Sequence, residues 1–241
     1  MSNTDNLPKI IAVVPAAGIG RRMQSKFPKQ YLTIGTKTIL EHAISTLIEQ
    51  PLIKRIVIVL NSKDCWFNLL PIDNTRITTT ITDSQTRADS VMAGLKAVSH
   101  ESWVIIHDAV RPCLHPEDLH RLLSIITVSP VGGILATPVR DTIKRSQAGN
   151  HPPIVVSHTI ERQNLWHALT PQLFPINLLL TCMQRAIQEG IMLTDEASAL
   201  EYEGYHPAII FGRHDNIKVT YPEDIALASF YLLQRHHKEN T

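Results

Sequence analysis

Short, nearly uninterrupted runs of apolar residues recur along the chain, each bounded by polar or turn-forming residues. Runs of this length are typical of strands buried on both faces of a parallel sheet. Five of them predict strands, at 10–16 (IIAVVPA), 55–60 (RIVIVL), 103–109 (WVIIHDA), 132–139 (GGILATPV) and 207–212 (PAIIFG).

Helical patterns lie between these runs. Apolar residues at 39, 40, 43, 44, 47 and 48 repeat with a helical period and predict an amphipathic helix. Pro116-Glu117-Asp118 and Pro222-Glu223-Asp224 each place proline and acidic residues where a helix begins. The alternation of strands and helices predicts an α/β fold, a doubly wound, mostly parallel Rossmann-like sheet. We expect residues 1–241 to form a single domain.

One segment departs from this alternation. Residues 138–145 and 152–162 have the composition of strands, and turn-forming residues separate them, which predicts a protruding β-hairpin arm at about 138–162. A two-stranded hairpin is only marginally stable alone, so it should pack on something. A second copy of the chain would make it a dimerisation arm. A flap over its own subunit is the alternative.

Composition excludes several classes of function. The chain has 44% hydrophobic and 19% charged residues and a formal net charge of +1, so neither nucleic-acid coating nor membrane-surface binding is indicated. No apolar run approaches the roughly 18 residues of a membrane helix, and no secretory signal is visible. Three widely spaced cysteines indicate neither a disulfide framework nor a zinc site. We expect a cytoplasmic protein whose basic site is local.

A glycine turn follows the first predicted strand. Residues 13–31 read VVPAAGIGRRMQSKFPKQY, with Gly18 and Gly20 followed by the cations Arg21, Arg22, Lys26 and Lys29. Both the dinucleotide fingerprint and a Walker A loop counted from Gly18 require glycine where Met23 stands. The remaining possibility is a bend whose backbone N–H groups approach a polyphosphate, with cations beside it. Arg21 and Lys26 are expected to be solvated.

This loop and six later segments resemble one enzyme family. PAAGIGRRM with PKQY resembles the signature of nucleotidyltransferases that activate a small phosphate with a nucleoside triphosphate. RADSVMAGL, HDAVRP, DTIKR, LWHALTPQ, TDEASALE and DNIKVT follow in order. Together they resemble the 2-C-methyl-D-erythritol 4-phosphate cytidylyltransferase family of the non-mevalonate isoprenoid pathway, over about 10–233.

The resemblance implies a site. Catalytic roles fall on Arg22, Lys29, Arg162 and Lys218. On the nucleotide side it implies contacts from Ala16, Ala17, Gly18, Gly20, Arg87, Ser90 and Asp108, and on the acceptor side from Thr142, Thr170 and Thr194. It also places a divalent cation, Mg²⁺, at Asp108, with Asp215 as a possible second ligand or simply a turn cap.

The implied reaction transfers CMP from CTP to 2-C-methyl-D-erythritol 4-phosphate, giving the diphosphocytidyl product and pyrophosphate. A homodimer formed through the arm would let Thr142 and Arg162 complete the partner's site. Two alternatives stay open: a cytidylyltransferase acting on another alcohol phosphate, such as ribitol 5-phosphate, and a nucleotide-binding or NAD protein without transferase activity.

Four features leave the local chemistry open. Arg111 either pairs with Asp108 or lines the site. His107 is either structural or a base, and we favour the structural role. Lys218 is either an acceptor contact or a charge on an edge strand. Asp83-Ser84 stands where relatives usually carry two glycines, which puts the geometry of that loop in question.

Overall fold

A computed structural model describes residues 8–18, 23, 27–72, 74–83, 86–98, 102–147 and 152–239, without the side chains of 236–239. Its strands are β1 (Ile10–Pro15), β2 (Thr33–Ile34), β3 (Lys37–Thr38), β4 (Ile53–Leu60), β5 (Ile77–Ile81), β6 (Trp103–Ile106), β7 (Gly133–Pro138), β8 (Ile143–Ser146), β9 (Val156–Ile160), β10 (Trp166–Pro175) and β11 (Ala208–Phe211). Its helices are α1 (Ile39–Glu49), α2 (Arg87–Lys96), α3 (Pro116–Ser124), α4 (Ile176–Gln188), α5 (Glu196–Tyr202) and α6 (Glu223–Glu239). Single 3₁₀ turns form at Lys29–Tyr31, Phe67–Leu69 and Ile125–Thr127.

Seven strands form the central sheet, in the order β11-β7-β10-β6-β1-β4-β5. The β1 strand pairs in parallel with β4 and β6, and β11 pairs in parallel with β7. Only β10 runs the other way, antiparallel to both β6 and β7. The prediction of a doubly wound, mostly parallel Rossmann-like sheet is therefore confirmed. Within the described residues, no helix is long and apolar enough to cross a lipid bilayer.

All five predicted strands are present. Two further strands of the central sheet, β5 and β10, were missed, as was the short separate β2-β3 pair. Apolar content identifies buried strands, but β5 lies at the sheet edge with its threonines largely exposed. The β10 strand contains Pro171, and its pairing with β7 is irregular between Ala168 and Gln172. A proline is tolerated where ladder pairing is interrupted, yet it argues against a strand when the sequence is read alone. The predicted strand at 103–109 ends earlier, at Ile106.

Alternation along β1 explains why helices cover both faces of the sheet. Ile10, Ala12 and Val14 join one apolar cluster, which includes residues of α1 and α3. Ile11 and Val13 point the other way, into a cluster that includes residues of α2, α4 and α5. Because successive side chains of a strand point to opposite faces, a central strand must be apolar throughout.

The α2 helix lies unusually close to the sheet because of Gly94. A Cβ atom at this position would lie 2.3 Å from Val13 Cγ1 and 3.0 Å from Val59 Cγ2. Such distances are shorter than van der Waals contact, so only glycine lets the helix pack at this depth. The first turn of α2 carries Arg87 and is positioned by this packing.

The predicted hairpin is present as β8 and β9, which pair antiparallel with each other in a separate two-stranded sheet. Most of its side chains are exposed. Just before β9 and at its first residue, three consecutive apolar side chains are exposed: Ile154 at 70%, Val155 at 46% and Val156 at 59%. The arm therefore carries an uncovered apolar segment in the isolated chain.

Candidate active site at the carboxyl edge of the sheet

A cavity of about 200 Å³ lies just beyond the carboxyl end of β6, where ligands bind in open α/β sheets. Residues from five separate segments line it: Arg87, Asp108, Arg111, Ala168, Leu169, Thr170, Gln172, Thr194, Asp195 and Lys218. The sequence assigned six of these to the site, namely Arg87, Asp108, Arg111, Thr170, Thr194 and Lys218. The fold therefore assembles distant segments of the chain into one place.

Asp108 is the electrostatic centre of the cavity. Its Oδ1 accepts from Arg87 Nε at 2.8 Å, and its Oδ2 lies 3.0 Å from Lys218 Nζ and 3.5 Å from Arg111 Nε. Burial alone would raise the pKa of this carboxyl, but the three cations outweigh burial and hold the pKa well below its usual range. Asp108 is therefore ionised.

Cations and carboxylates meet in equal numbers at the cavity. Behind Arg87, the buried carboxylate of Glu196 forms a second ion pair with the guanidinium. Three cations (Arg87, Arg111, Lys218) face three carboxylates, since Asp108 and Asp195 line the cavity and Glu196 lies behind it, so their formal charges balance. A phosphate group would bind here through the lining cations, whose charge water screens poorly in a partly enclosed cavity.

Both alternatives for Arg111 hold. It lines the cavity and faces Asp108, and its Nη1 donates to the Asn216 carbonyl at 2.7 Å. Asn216 is itself buried, and its Nδ2 donates to the Thr170 carbonyl at 2.8 Å. These bonds fasten the loop that carries Lys218. That loop is not a strand, so the edge-strand alternative for Lys218 is wrong.

His107 is structural, as favoured. It is fully buried, its Nε2 lies 3.2 Å from the Arg111 carbonyl, and its Nδ1 lies 3.1 Å from Thr170 Oγ1. Since a carbonyl only accepts, Nε2 carries the proton, and Thr170 donates its hydroxyl to Nδ1. Thr170 Oγ1 in turn accepts from the Asp108 N–H at 3.0 Å. Burial lowers the pKa of His107 to about 4, so the ring is neutral at neutral pH and holds the backbone of Asp108.

Part of the glycine turn lies beside this cavity. Lys29 Nζ donates to the carbonyl of Val219, the residue after Lys218, at 3.1 Å. Gln30 Nε2 donates to the Ala16 carbonyl at 2.6 Å, which ties the 3₁₀ turn to the end of β1. Lys29, which follows the glycine turn, thus contacts the loop that carries Lys218.

The remaining residues of the turn divide into two groups. Ala16 and Ala17 are buried, and Gly18 is exposed, with no atom within 4 Å of the place where a Cβ would stand. Met23 is buried in an apolar cluster that includes residues of α6, so the residue that breaks both glycine fingerprints serves packing. The predicted site residues Gly20 and Arg22 lie outside the described residues.

Two residues that the sequence analysis discussed on the nucleotide side are described. Ser90 is buried, and its hydroxyl donates to the Thr86 carbonyl within the first turn of α2 at 3.1 Å. Asp83 is exposed, and its carboxylate accepts a hydrogen bond from the Ser62 hydroxyl. Asp83 therefore has a structural partner where relatives usually carry glycine, while Ser84 lies outside the described residues.

The acceptor-side residues do not all meet. Thr170, Thr194 and Lys218 line the cavity, whereas Thr142 and Arg162 do not. Both are exposed at the base of the arm, and the Arg162 guanidinium donates to the Arg140 carbonyl of the same segment. Within one chain, the cavity therefore lacks two of the residues that the sequence assigned to it.

Sequence reasoning missed the residues that hold the start of α5. Asp195 is the N-cap of this helix and accepts from Ser198 N, in a reciprocal capping box. Gln172 Oε1 accepts from Ala197 N at 3.0 Å, and its Nε2 donates to Asp195 Oδ2 at 2.8 Å. The TDEASALE segment contained the signal, since an acidic N-cap followed by a second acid marks a helix start.

A divalent cation fits this site only together with a ligand. Among the described residues, no three His, Cys, Asp or Glu side chains gather as a metal site. Asp108 offers hard carboxylate oxygens, but both face cations. Asp215 has a buried Oδ1 without a hydrogen-bond partner, yet it is not among the residues that line the cavity. Mg²⁺ commonly binds one or two carboxylates plus substrate phosphates, and Asp108 suits that arrangement.

The sheet and its cavity define a Rossmann-like α/β protein with a cation-lined site for an anionic ligand. Residues 10–234 match the family described as 2-C-methyl-D-erythritol 4-phosphate cytidylyltransferase. The protein of that name from Yersinia pseudotuberculosis serotype I (strain IP32953) is 56% identical over 235 residues, covering 98% of this chain and 96% of the relative.

Solved structures agree with this match. A 4-diphosphocytidyl-2C-methyl-D-erythritol synthase superposes with a TM-score of 0.78 at 35% identity, covering 94% of this chain and 99% of the other. The Francisella tularensis 2-C-methyl-D-erythritol 4-phosphate cytidylyltransferase gives a TM-score of 0.79 at 30% identity, covering 92% and 99%. The chain belongs to the 2-C-methyl-D-erythritol 4-phosphate cytidylyltransferase family, and it is a nucleotidyltransferase.

Proposed function

We propose that this chain transfers CMP from CTP to 2-C-methyl-D-erythritol 4-phosphate, the reaction for which its family is named. The observation that carries the proposal is the cation-lined cavity around Asp108, with Lys29 of the glycine turn hydrogen-bonded to the residue after Lys218. This arrangement suits two phosphorylated substrates that must approach each other despite their charge.

The reaction is a displacement at phosphorus. A phosphate oxygen of the acceptor forms a bond to the α-phosphorus of CTP in line with the breaking P–O bond, and pyrophosphate leaves. Lys218 and Arg162 hold the acceptor phosphate, while Arg22 and Lys29 stabilise charge on the triphosphate. Such catalysis depends on positioning and electrostatics and needs no enzyme nucleophile.

Magnesium is part of this proposal. Asp108 would hold the ion together with triphosphate oxygens, and the bound ion would offset negative charge on the phosphates. Because Lys218 and Arg87 contact the Asp108 oxygens, a ligand-borne ion must share this carboxylate with them or displace one of them. Lys218 would then be released toward the acceptor phosphate.

The test of the proposed function is pyrophosphate release measured with a panel of acceptors. We expect release from CTP that requires both Mg²⁺ and 2-C-methyl-D-erythritol 4-phosphate, with far less release from UTP. Discrimination against UTP is expected because a buried protein group that hydrogen-bonds the exocyclic amine of cytosine would have no partner on uracil. Equal or faster turnover with ribitol 5-phosphate would support the alternative acceptor, and no acceptor-dependent release would contradict transferase activity.

We further propose a homodimer in which the arm of one subunit completes the site of the other. Thr142 and Arg162 lie on the arm and do not line the cavity of their own chain. The arm also needs a partner surface for three consecutive exposed apolar residues, Ile154, Val155 and Val156, since contact of such a patch with water is unfavourable. A closed two-fold dimer would satisfy both requirements.

Mixing two inactive variants tests this assembly. Lys29→Ala subunits keep an intact arm, and Arg162→Ala subunits keep an intact glycine turn. If the arm crosses over, each mixed dimer contains one intact site, so random mixing should restore about a quarter of wild-type activity. If the arm covers its own subunit, every site remains defective and mixing restores nothing, which would contradict the crossed arm.

We also propose a cytoplasmic location. Cys65, Cys113 and Cys182 are all free, which suits a reducing compartment.

A further inference from the structure

A buried carboxylate, Glu196, lies behind the cavity. Its side chain is 1% exposed, and it is not among the residues that line the cavity. Glutamate is almost never fully buried unless it is paired, because burying a charge without a partner is very unfavourable. The partner of Glu196 therefore indicates what the residue does.

That partner is Arg87, which bridges two carboxylates. Its Nη1 donates to Glu196 Oε1 at 2.6 Å and its Nη2 donates to Oε2 at 3.1 Å, a bidentate pair. Its Nε donates to Asp108 Oδ1 at 2.8 Å. Because the guanidinium is planar and its donors have fixed directions, acceptors on two sides define both its position and its plane.

Glu196 is itself held by the protein rather than by a ligand. It is the first residue of α5, and the N-cap Asp195 and the side chain of Gln172 fix the start of that helix. The backbone position of Glu196 is therefore set by hydrogen bonds within the chain.

We propose that Glu196 is a positioning residue for the transfer reaction: it holds Arg87 against Asp108, and through Asp108 it sets the place of Lys218. The inference rests on the proposed function. Three successive ion pairs make this connection: Glu196 with Arg87, Arg87 with Asp108, and Asp108 with Lys218. Glu196 touches no substrate in this arrangement.

Hydrogen bonding explains why the carboxylate is needed. Without it, two Nη donors of Arg87 lose their carboxylate acceptors in a partly buried position. Leaving buried donors unpaired is unfavourable, so the guanidinium would turn toward the cavity and lose its bond to Asp108. Glutamine in place of glutamate keeps the shape but offers only one acceptor oxygen, and its NH₂ group would oppose an Arg87 donor.

The dependence is mutual. Burial raises the pKa of the Glu196 carboxyl, and the charge of Arg87 offsets part of that rise. Removing Arg87 alone would leave a buried carboxylate without its partner, and breaking one side of such a pair is strongly destabilising. Removing both members avoids that penalty, so the two substitutions should not act independently.

The first measurement compares Glu196→Gln with Glu201→Gln, which alters an exposed glutamate of the same helix. For Glu196→Gln we expect kcat/KM for CTP to fall about 10- to 100-fold, by analogy with the loss of partners that orient metal ligands. Calorimetric binding of CTP should weaken in parallel. Glu201→Gln should match the wild type. Unchanged activity and CTP binding in Glu196→Gln would overturn the inference.

A double-mutant cycle with Arg87→Met separates positioning from general structural damage. Once Arg87 is replaced, adding Glu196→Gln should change kcat/KM by less than about threefold and should raise the thermal midpoint above that of Arg87→Met alone. The proposal would be overturned if the fold-losses in kcat/KM of the two single variants multiply in the double variant, or if the double variant melts at a lower temperature than Arg87→Met. Either result would show that Glu196 acts independently of Arg87.

The outcomes distinguish this inference from the proposed function. If wild-type protein releases pyrophosphate in an acceptor-dependent manner and Glu196→Gln does so equally well, only the inference fails. If the wild type shows no such release, the proposed function fails and the inference fails with it. If Glu196→Gln does not fold, the cycle is run with Glu196→Asp, which keeps the charge but is too short for the bidentate contact. Fold-losses in kcat/KM that multiply with those of Arg87→Met would again overturn the inference.

Discussion

Replacing Lys29 with alanine is expected to lower turnover by about 10²- to 10³-fold while the protein remains folded, similar to the loss of one oxyanion donor. Lys29 lies on the 3₁₀ turn after the glycine bend and donates to the carbonyl that follows Lys218. In the proposed reaction its ammonium group stands where the triphosphate and the acceptor meet. Initial rates of pyrophosphate release, with circular dichroism of each variant, make the measurement.

Lys37→Ala supplies the matched control for this variant. Lys37 lies eight residues further along the chain on β3 and is exposed, so its replacement should leave turnover unchanged. A second check is saturation: raising CTP should not restore the rate of Lys29→Ala, because the lost interaction is strongest in the transition state. Near-normal turnover of Lys29→Ala would refute its catalytic role.

Replacing Asp118 with alanine is expected to give the largest loss of stability, about 2 to 4 kcal/mol in the free energy of unfolding. Asp118 is fully buried on α3 and accepts from Arg213 N at 2.8 Å, from Arg213 Nε at 3.3 Å and from Arg121. Its removal leaves the partly buried Arg213 N–H without this acceptor. For a chain of this size, the thermal midpoint should fall by about 5 to 15 °C.

Glu117→Ala is the matched control for Asp118→Ala. Glu117 also pairs with Arg213, but it is 66% exposed. An exposed pair contributes little, so its loss should cost less than about 1 kcal/mol. Chemical denaturation of both variants measures the difference. Equal stabilities of the two variants would contradict the view that Asp118 anchors the loop between β11 and α6.

The predictable part of the fold was the part set by local pattern. Apolar runs located β1, β4, β6, β7 and β11, and periodicity located α1, because burial on both faces or on one stripe leaves a signature in the sequence. The β10 strand has no such signature in the sequence, since Pro171 interrupts its pattern. Its antiparallel direction is set by pairing with β6 and β7, which are distant in the chain. Tertiary pairing, rather than local preference, determines that strand.

The site was predictable only in its components. Motifs identified Arg87, Asp108 and Lys218, but no spacing along the chain reveals that one carboxylate faces all three cations of the cavity. Glu196 was overlooked because a glutamate at the start of a helix normally serves the helix dipole and is solvated. Its burial against Arg87 depends on how α5 packs beside α2, which only the folded chain shows.

The most direct test of the central claim is a crystal structure with a CTP analogue that cannot be cleaved between the α- and β-phosphates, bound with Mg²⁺. We expect the phosphates to lie along residues 16–18, within hydrogen-bond distance of the Lys29 ammonium, and the ribose hydroxyls to contact Asp108. A nucleotide bound away from this edge of the sheet, with Lys29 and Lys218 both directed into solvent, would contradict it.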